Sequence, residues 1–300
     1  MRIGIDLGGT KIEAIAIDGG GRERFRTRVP SPRGDYAGTI DAVAGLVDAA
    51  ERAAGPGTVG IGMPGTISPA TGLVKNANST WLNGRPLAQD LEARLGRALR
   101  LANDANCFAL SEASDGAAAG AQIVFGVIIG TGTGGGIVIG GHVVTGANAI
   151  GGEWGHNPMP WPEDGEWPGP DCYCGRTGCI ETFLSGPGLA GDYARAGGGQ
   201  ADAGTVARRA CAGDAVAAAA LERHERRLAR ALASIINVVD PDVIVLGGGV
   251  SNIDRLYGRV PTLWDEYIFS DRVATRLVKA AHGDSSGVRG AAWLWDTGGG

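Results

Sequence analysis

Three thiols fall within eight residues, Cys172, Cys174 and Cys179, on a glycine-rich stretch, and His156 stands upstream of them. Three sulfurs and one nitrogen make a tetrahedral, coordinatively closed Zn²⁺ site of the structural kind; a catalytic zinc keeps an open position. His156 is preferred to His142, His224 and His282 for its neighbourhood rather than for spacing alone. Glu153-Trp154-Gly155-His156 sets a carboxylate three positions ahead of it, and Glu181 follows Cys179 by two. Such a site contributes on the order of 10 kcal/mol to ordering a loop that has no core of its own. Five Cys is an odd total, and the clustering suits a metal in a reducing compartment better than a disulfide framework. Cys107 and Cys211, set among apolar residues, read as buried thiols.

Asn103-Asp104-Ala105-Asn106 lies where a predicted strand gives way to a helix. Asp104 is there either an N-cap, a position that favours Asp, or a general base that takes the proton of an alcohol. Glu153 and Glu181, with Asn78 and Asn103, offer the acceptors and donors that bind several hydroxyls of a sugar at once. Gly65 and Asp104 complete this candidate shell.

The anion side is carried by Asp6-Leu7-Gly8-Gly9-Thr10-Lys11 between two strands. Gly8 and Gly9 let backbone N–H groups face an anion, Thr10 adds a hydroxyl, Lys11 a cation, and Asp6 a carboxylate able to hold Mg²⁺ through water. A tight hairpin with a solvated lysine explains that segment alone equally well. A second loop of the same kind, Gly130-Thr131-Gly132-Thr133, favours two hairpins clamping one polyphosphate. The G-x-G-x-x-G matches at Gly60-Gly62-Gly65 and Gly130-Gly132-Gly135 lack the helix that a dinucleotide fingerprint needs directly after the loop, and no Walker loop is present.

The elements that position these residues follow from hydrophobic period. Residues 2–7, 11–18 and 22–29 read as three short strands, 35–54 as an amphipathic helix with Ile40, Val43, Leu46, Val47 and Ala50 inward, 58–63 as a buried strand, 87–95 as a helix and 98–102 as a strand, with a helix after Asp104. The order then restarts with strand 123–129, a glycine turn 130–136 and strand 137–139, followed by helices over 186–239, a strand 242–246 and a helix near 287–295. Two βββαβα-type halves predict a duplicated α/β fold with a cleft between lobes. The boundary is expected in Ala117–Gly120, giving an N-terminal lobe of 1–117 joined by a C-terminal helix over 286–297, and a second lobe of 118–285. Gly298–Gly300 reads as a frayed tail.

Composition narrows the classes. Gly makes up 53 of 300 residues, far above the roughly 7 % average, without a three-residue period. Its clusters at 8–9, 130–136, 151–152 and 247–249 suggest backbone wrapped closely around ligands. Against 27 basic side chains stand 32 acidic ones, with no run of either sign, so a nucleic-acid partner is not expected. No apolar run reaches 18 residues and the chain starts on a strand, so a soluble cytoplasmic protein without membrane association is expected.

DLGGTK at 6–11, ExGH at 153–156 and CxCGxxGCxE at 172–181 together resemble the ROK family (repressors, open reading frames, kinases), and the likeness runs over nearly the whole chain. NANSTWLNG (76–84), RLANDANC (100–107), GEWGHNP (152–158), CYCGRTGCIETF (172–183), DPDVIVLGGGVSN (240–252) and HGDSSGVRGAAWLW (282–295) resemble its bacterial fructokinase (manno(fructo)kinase) branch. The resemblance implies a duplicated, actin-like (ribonuclease-H-like) two-lobed ATPase fold with a structural zinc loop, Mg²⁺ and ATP as phosphoryl donor, and a homodimer. It assigns Asp104 as the catalytic base and His156, Cys172, Cys174 and Cys179 as zinc ligands, with His156 also bordering the sugar. It places Gly247, Gly248 and Gly249 near the adenosine. Trp161–Pro170 matches no motif.

The activity expected on this basis is phosphorylation of the 6-hydroxyl of D-fructose, with mannose as a second substrate. A glucokinase or an N-acetylhexosamine (GlcNAc or ManNAc) kinase is the alternative, because residue types do not distinguish epimers. DNA-binding members carry a helix-turn-helix ahead of the first phosphate strand, which here starts at Arg2, so a sugar-responsive regulator is the remote reading. The zinc loop and its acidic neighbours disfavour an actin-like assembly protein.

Overall fold

The computed structural model describes residues 1–295, apart from the Asp284 side chain; the tail Gly298–Gly300 lies outside the described residues. Contacts divide the chain into two compact units, one of 1–120, 136–151 and the stretch from Asp284, the other of 121–135 and 152–283. Residues 136–151, which the sequence reading assigns to the second lobe, group with the first. The reason is local: a side chain at Gly136 would strike the backbone of Ala105 and Asn106, so this turn of chain seats directly on the helix that follows Asp104.

In the first unit, β1 (Arg2–Leu7), β2 (Lys11–Ile17), β3 (Glu23–Pro30), β4 (Thr58–Met63) and β7 (Arg100–Asn103) form a sheet in the order β3-β2-β1-β4-β7. The two-residue strands β5 (Thr66–Ile67) and β6 (Val74–Lys75) pair separately. Alternation along β1 and β2 sorts the sheet's faces. Ile3, Ile5, Ile12, Ala14 and Ala16 join Ile40, Val43, Leu46 and Val47 of α1 (Tyr36–Ala54) in one core, and Ile15 and Ile17 meet Val288 and Ala292 of α9 (Ser286–Trp293). α1 starts where the Asp35 side chain accepts from the Gly38 N–H at 2.9 Å, an N-cap, and ends at Gly55, whose N–H returns to the Glu51 carbonyl. α2 (Leu87–Leu95) packs on α1, and α3 (Asp104–Ser114) pairs with α9.

The second sheet repeats the pattern, with β8 (Ile123–Ile129), β9 (Thr133–Ile139), β10 (His142–Val143), β11 (Val243–Gly247) and β12 (Arg276–Lys279) in the order β10-β9-β8-β11-β12. β9 starts inside the expected glycine turn, because Gly134 and Gly135 extend as strand with no side chains to crowd Phe125 and Trp154. The second unit adds α4 (Ile180–Leu184), α5 (Gly186–Tyr193), α6 (Ala203–Cys211), the 25-residue α7 (Ala215–Val239) and α8 (Arg255–Arg259). No described helix is long and apolar enough to cross a membrane.

Buried charge is concentrated on α7. Arg230 is fully buried and Arg227 nearly so; they bind Glu166 at 2.7 and 2.6 Å, and Arg227 also binds Asp192 at 3.1 Å. Arg230 further donates to the Trp161 carbonyl at 3.0 Å. The motif-less stretch Trp161–Pro170 is therefore an anchored loop, held from below by two arginines that satisfy Glu166 on both oxygens. Desolvation makes such pairs costly; here both Glu166 oxygens are bonded, while the buried Nε of Arg230 has no partner among the described residues.

Candidate active site and metal centre

Sheet register brings the first group of candidates together. Asp6, the last residue of β1 paired with β4, lies opposite Gly62, and Met63 of β4 lies opposite Asn103 of β7. Asp6 and Asp104 thus stand at the carboxyl ends of parallel strands, the edge where α/β sheets bind ligands. Asn103, not Asp104, caps α3: its side-chain oxygen accepts from the Asn106 N–H at 3.0 Å. Asp104 is the first helical residue. One of its carboxylate oxygens accepts from the Ala105 N–H at 2.8 Å and from the Asn103 amide at 3.0 Å. Its side chain reaches solvent, yet surrounding protein desolvates it enough to raise its pKa. Asp6 is pushed up to about 6, first by burial and then by the charges of Asp104 and Glu13. Two carboxylates raised chiefly by desolvation, with the charge of Asp104 adding to the shift of Asp6, fit a divalent cation, which prefers hard oxygen ligands.

The first hairpin differs from its reading in one respect. Lys11 turns back to Glu13 at 3.7 Å. The cation seated on the loop is Arg33, which donates to the Gly9 carbonyl at 3.1 Å and to the Thr10 hydroxyl at 2.8 Å. Sequence reasoning missed it because the contact spans a strand and two turns. Gly8 is fixed within the hairpin, its N–H donating to the Lys11 carbonyl at 3.1 Å.

Gly130 and Thr131 of the second hairpin line a cavity of about 550 Å³, with Gly186, Asp202, Gly249 and Val250 among its walls. That volume suits a nucleoside-sized ligand. Gly132 and Thr133 do not line it. The Thr133 N–H instead donates to Glu181 at 2.8 Å, so this candidate sugar acceptor spends one oxygen on pinning the loop. Gly247 ends β11, and Gly248, at φ +81°, passes so close to the Ile129 backbone that a Cβ would sit 2.7 Å from its carbonyl carbon; only glycine permits the turn into Gly249.

The metal cluster is assembled. The Nδ1 of His156 and the sulfurs of Cys172, Cys174 and Cys179 all lie within 4.8 Å of one another, with the Cys172–His156 and Cys174–Cys179 approaches both 3.6 Å. Tetrahedral zinc with bonds of about 2.3 Å to sulfur and 2.0–2.1 Å to nitrogen requires ligand separations of about 3.5–3.8 Å. The donor set and its spacing therefore fit. His156 is oriented from outside by the Tyr173 hydroxyl, 3.0 Å from Nε2, the kind of outer contact that fixes a ligating imidazole. Trp154, also unread in the sequence, is the peg for this segment: it is buried, its indole N–H donates to the Gly134 carbonyl at 3.1 Å, and its ring meets Phe125 edge-on. Glu153, exposed, precedes it.

Of the remaining candidates, Gly65 takes φ +67° against the Ala77 N–H, and Asn78 is exposed beside Ser79. Cys107 is fully buried, but Cys211 is exposed, correcting its reading as a buried thiol. Of α6 only Val206 is buried, so the end of that helix faces solvent.

The ROK family model matches residues 2–297. The N-acetyl-D-glucosamine kinase of Photobacterium profundum is 42 % identical over 299 residues, covering 98 % of this chain and 99 % of that one. Among solved structures, the ROK hexokinase from Thermus thermophilus superposes with a TM-score of 0.86 at 33 % identity, covering 98 % and 97 % of the two chains. The ROK family glucokinase from Streptomyces griseus, in complex with glucose and AMPPNP, gives 0.76 at 27 % identity, each chain covered to 99 %.

The chain belongs to the ROK family, and its fold is the actin-like ATPase fold with a zinc-compatible loop. The full-length relatives correct the expected substrate. They are N-acetyl-D-glucosamine kinases, not fructokinases, and the fructose reading falls. Its motifs belong to the phosphate and metal scaffolds, which kinases of different sugars in this family share.

Proposed function

We propose that the chain is an ATP-dependent N-acetyl-D-glucosamine kinase that phosphorylates the 6-hydroxyl of its substrate. The observation that carries this reading is full-length similarity, at 42 % identity, to a kinase of that name, in a chain whose Asp104 stands ready as a base. The nucleoside would occupy the cavity lined by Gly130, Thr131 and Gly249, and the Asp6–Lys11 hairpin is the candidate for the phosphates. Asp104 keeps one oxygen in its bonds to Ala105 and Asn103 and takes the hydroxyl proton on the other. Its raised pKa brings it nearer the operating pH, which favours proton transfer. Mg²⁺, when bound with the nucleotide, neutralises phosphate charge, and Asp6 is the carboxylate positioned to hold it through water. His156, Cys172, Cys174 and Cys179 would hold a structural zinc that orders the loop leading into α4, which carries Glu181. Glu153, Glu181, Asn78 and Asn103 remain the residues assigned to the sugar hydroxyls.

An ADP-release assay across N-acetylglucosamine, N-acetylmannosamine, glucose and mannose tests this. N-acetylglucosamine is expected to lead in kcat/KM by at least tenfold, about 1.4 kcal/mol of discrimination. A lead by glucose or mannose would overturn the assignment.

A further inference from the structure

Arg33 lies on the turn between β3 and α1, flanked by Pro32 and by Gly34 at φ +76°. Two bonds fix its guanidinium to the first hairpin, from Nε to the Gly9 carbonyl at 3.1 Å and from Nη2 to the Thr10 hydroxyl at 2.8 Å. Ser31 ties the same turn to the same hairpin: its hydroxyl donates to the Gly8 carbonyl at 2.5 Å and its N–H to the Thr10 carbonyl at 3.0 Å. A guanidinium has five N–H groups. The two above are spent, and the others have no protein acceptor among the described residues. Such a group is held in place yet still able to bind.

The surrounding charge gives it a purpose. Lys11 is committed to the buried Glu13, which Arg26 also binds at 2.5 Å. The carboxylates of Asp6 and Asp104 stand at the same sheet edge. A polyphosphate entering here meets two anions and one immobilised cation. Planar, bidentate donors suit phosphate oxygens better than a point charge does.

We propose that Arg33 is a phosphate-binding residue of the first hairpin, its uncommitted N–H groups taking the terminal phosphate of the nucleotide. The terminal phosphate is assigned because the hairpin shares its sheet edge with Asp104, and the phosphoryl group that transfers is the one nearest the base. There the guanidinium stabilises charge that shifts during transfer, an interaction whose removal typically costs about 10²–10³ in kcat. This inference rests on the kinase reading above, not on the identity of the sugar.

Calorimetric binding of MgAMPPNP and, separately, of AMP, both without sugar, tests it in wild type and in Arg33→Ala. AMPPNP is expected to weaken about tenfold and AMP to stay within twofold. In turnover, kcat should fall about 100-fold with the sugar KM within twofold, and added guanidinium should restore part of the loss in Arg33→Ala while giving no gain in wild type. Arg33→Gln, which can still donate to Gly9 and Thr10, covers misfolding of the alanine variant. A change in AMPPNP affinity below threefold, or an equal loss for AMP, overturns the proposal. Failure of the wild type to phosphorylate N-acetylhexosamines would remove the sugar assignment and leave the nucleotide-binding result to decide on Arg33.

Discussion

The two glycine hairpins occupy the same place in two sheets of the same strand order, yet they are furnished differently. The first carries Asp6 and Thr10 and is clasped by Arg33. The second, Gly130 to Thr133, has no charged side chain, lines a cavity, and is pinned by a carboxylate from α4. Duplication therefore fixed the backbone path, and the residues filling each loop set its chemistry. A charged hairpin beside the Asp104 carboxylate suits phosphoryl transfer, while a neutral one over a cavity suits a nucleoside. The two units also differ in what holds them. The first is built on a sheet with apolar cores on both faces; the second stakes its peripheral loops on a metal cluster and on the Glu166–Arg227–Arg230 ion pairs.

Metal removal should separate the units most sharply. Residues 172–179 bury little beyond Cys172, Gly178 and Cys179, so a zinc bound by the proposed ligands would supply most of the loop's order, on the order of 10 kcal/mol. Chelation under native conditions is expected to lower the melting temperature by about 10 °C or more and to release one zinc per chain. Unchanged melting with zinc demonstrably gone would show that the second unit does not need the cluster.

Asp104→Asn acts on the first unit and on rate alone. The amide keeps the acceptor oxygen for Ala105 but cannot take a proton, so kcat should fall about 10³-fold, within the range for a general base. Melting should stay within about 2 °C of wild type or rise. A variant retaining more than a tenth of wild-type kcat would return Asp104 to a structural role.

Sequence made the scaffold legible wherever local period governs. β1, β4, β8 and α2 stand at the predicted residues, because the strands are short segments buried almost throughout and α2 repeats its buried Leu87 and Leu91 one turn apart. β12, with only Leu277 buried, and the two-residue β10 carry no such signal and went unread. In the site, the cysteine spacing and the carboxylates were visible as residue types. Arg33, Trp154 and Glu166 were not, since their partners lie 20 to 64 residues away and only folding brings them together. Glu166 in particular sits in a Pro- and Gly-rich stretch that matches no motif, yet it is buried. Sugar identity was beyond reach because hydroxyl-binding residue types are common to epimers, and the proposed substrate rests on the full-length relatives instead.

The smallest expected effect tests whether the first hairpin's charge is held against a cost. Asp6 has a folded pKa of about 6 against the ordinary value of 3.8. Below about pH 4 both folded and unfolded chains are protonated there, and the shift costs nothing. As pH rises toward 6 the unfolded chain loses its proton first, so folded stability declines, and above 6 the whole cost applies. At about 1.36 kcal/mol per pKa unit the ceiling is about 3 kcal/mol; with partial exposure and the charge of Asp104 shared in the shift, about 1–2 kcal/mol is expected. Asp6→Asn should therefore melt a few degrees higher than wild type at about pH 8 and no higher at about pH 4, while losing Mg²⁺-dependent turnover. No gain at the higher pH, or the same gain at both pH values, would mean that burial of this carboxylate is not what the first hairpin gives up for its chemistry, and the contrast with the neutral second hairpin would lose its energetic basis.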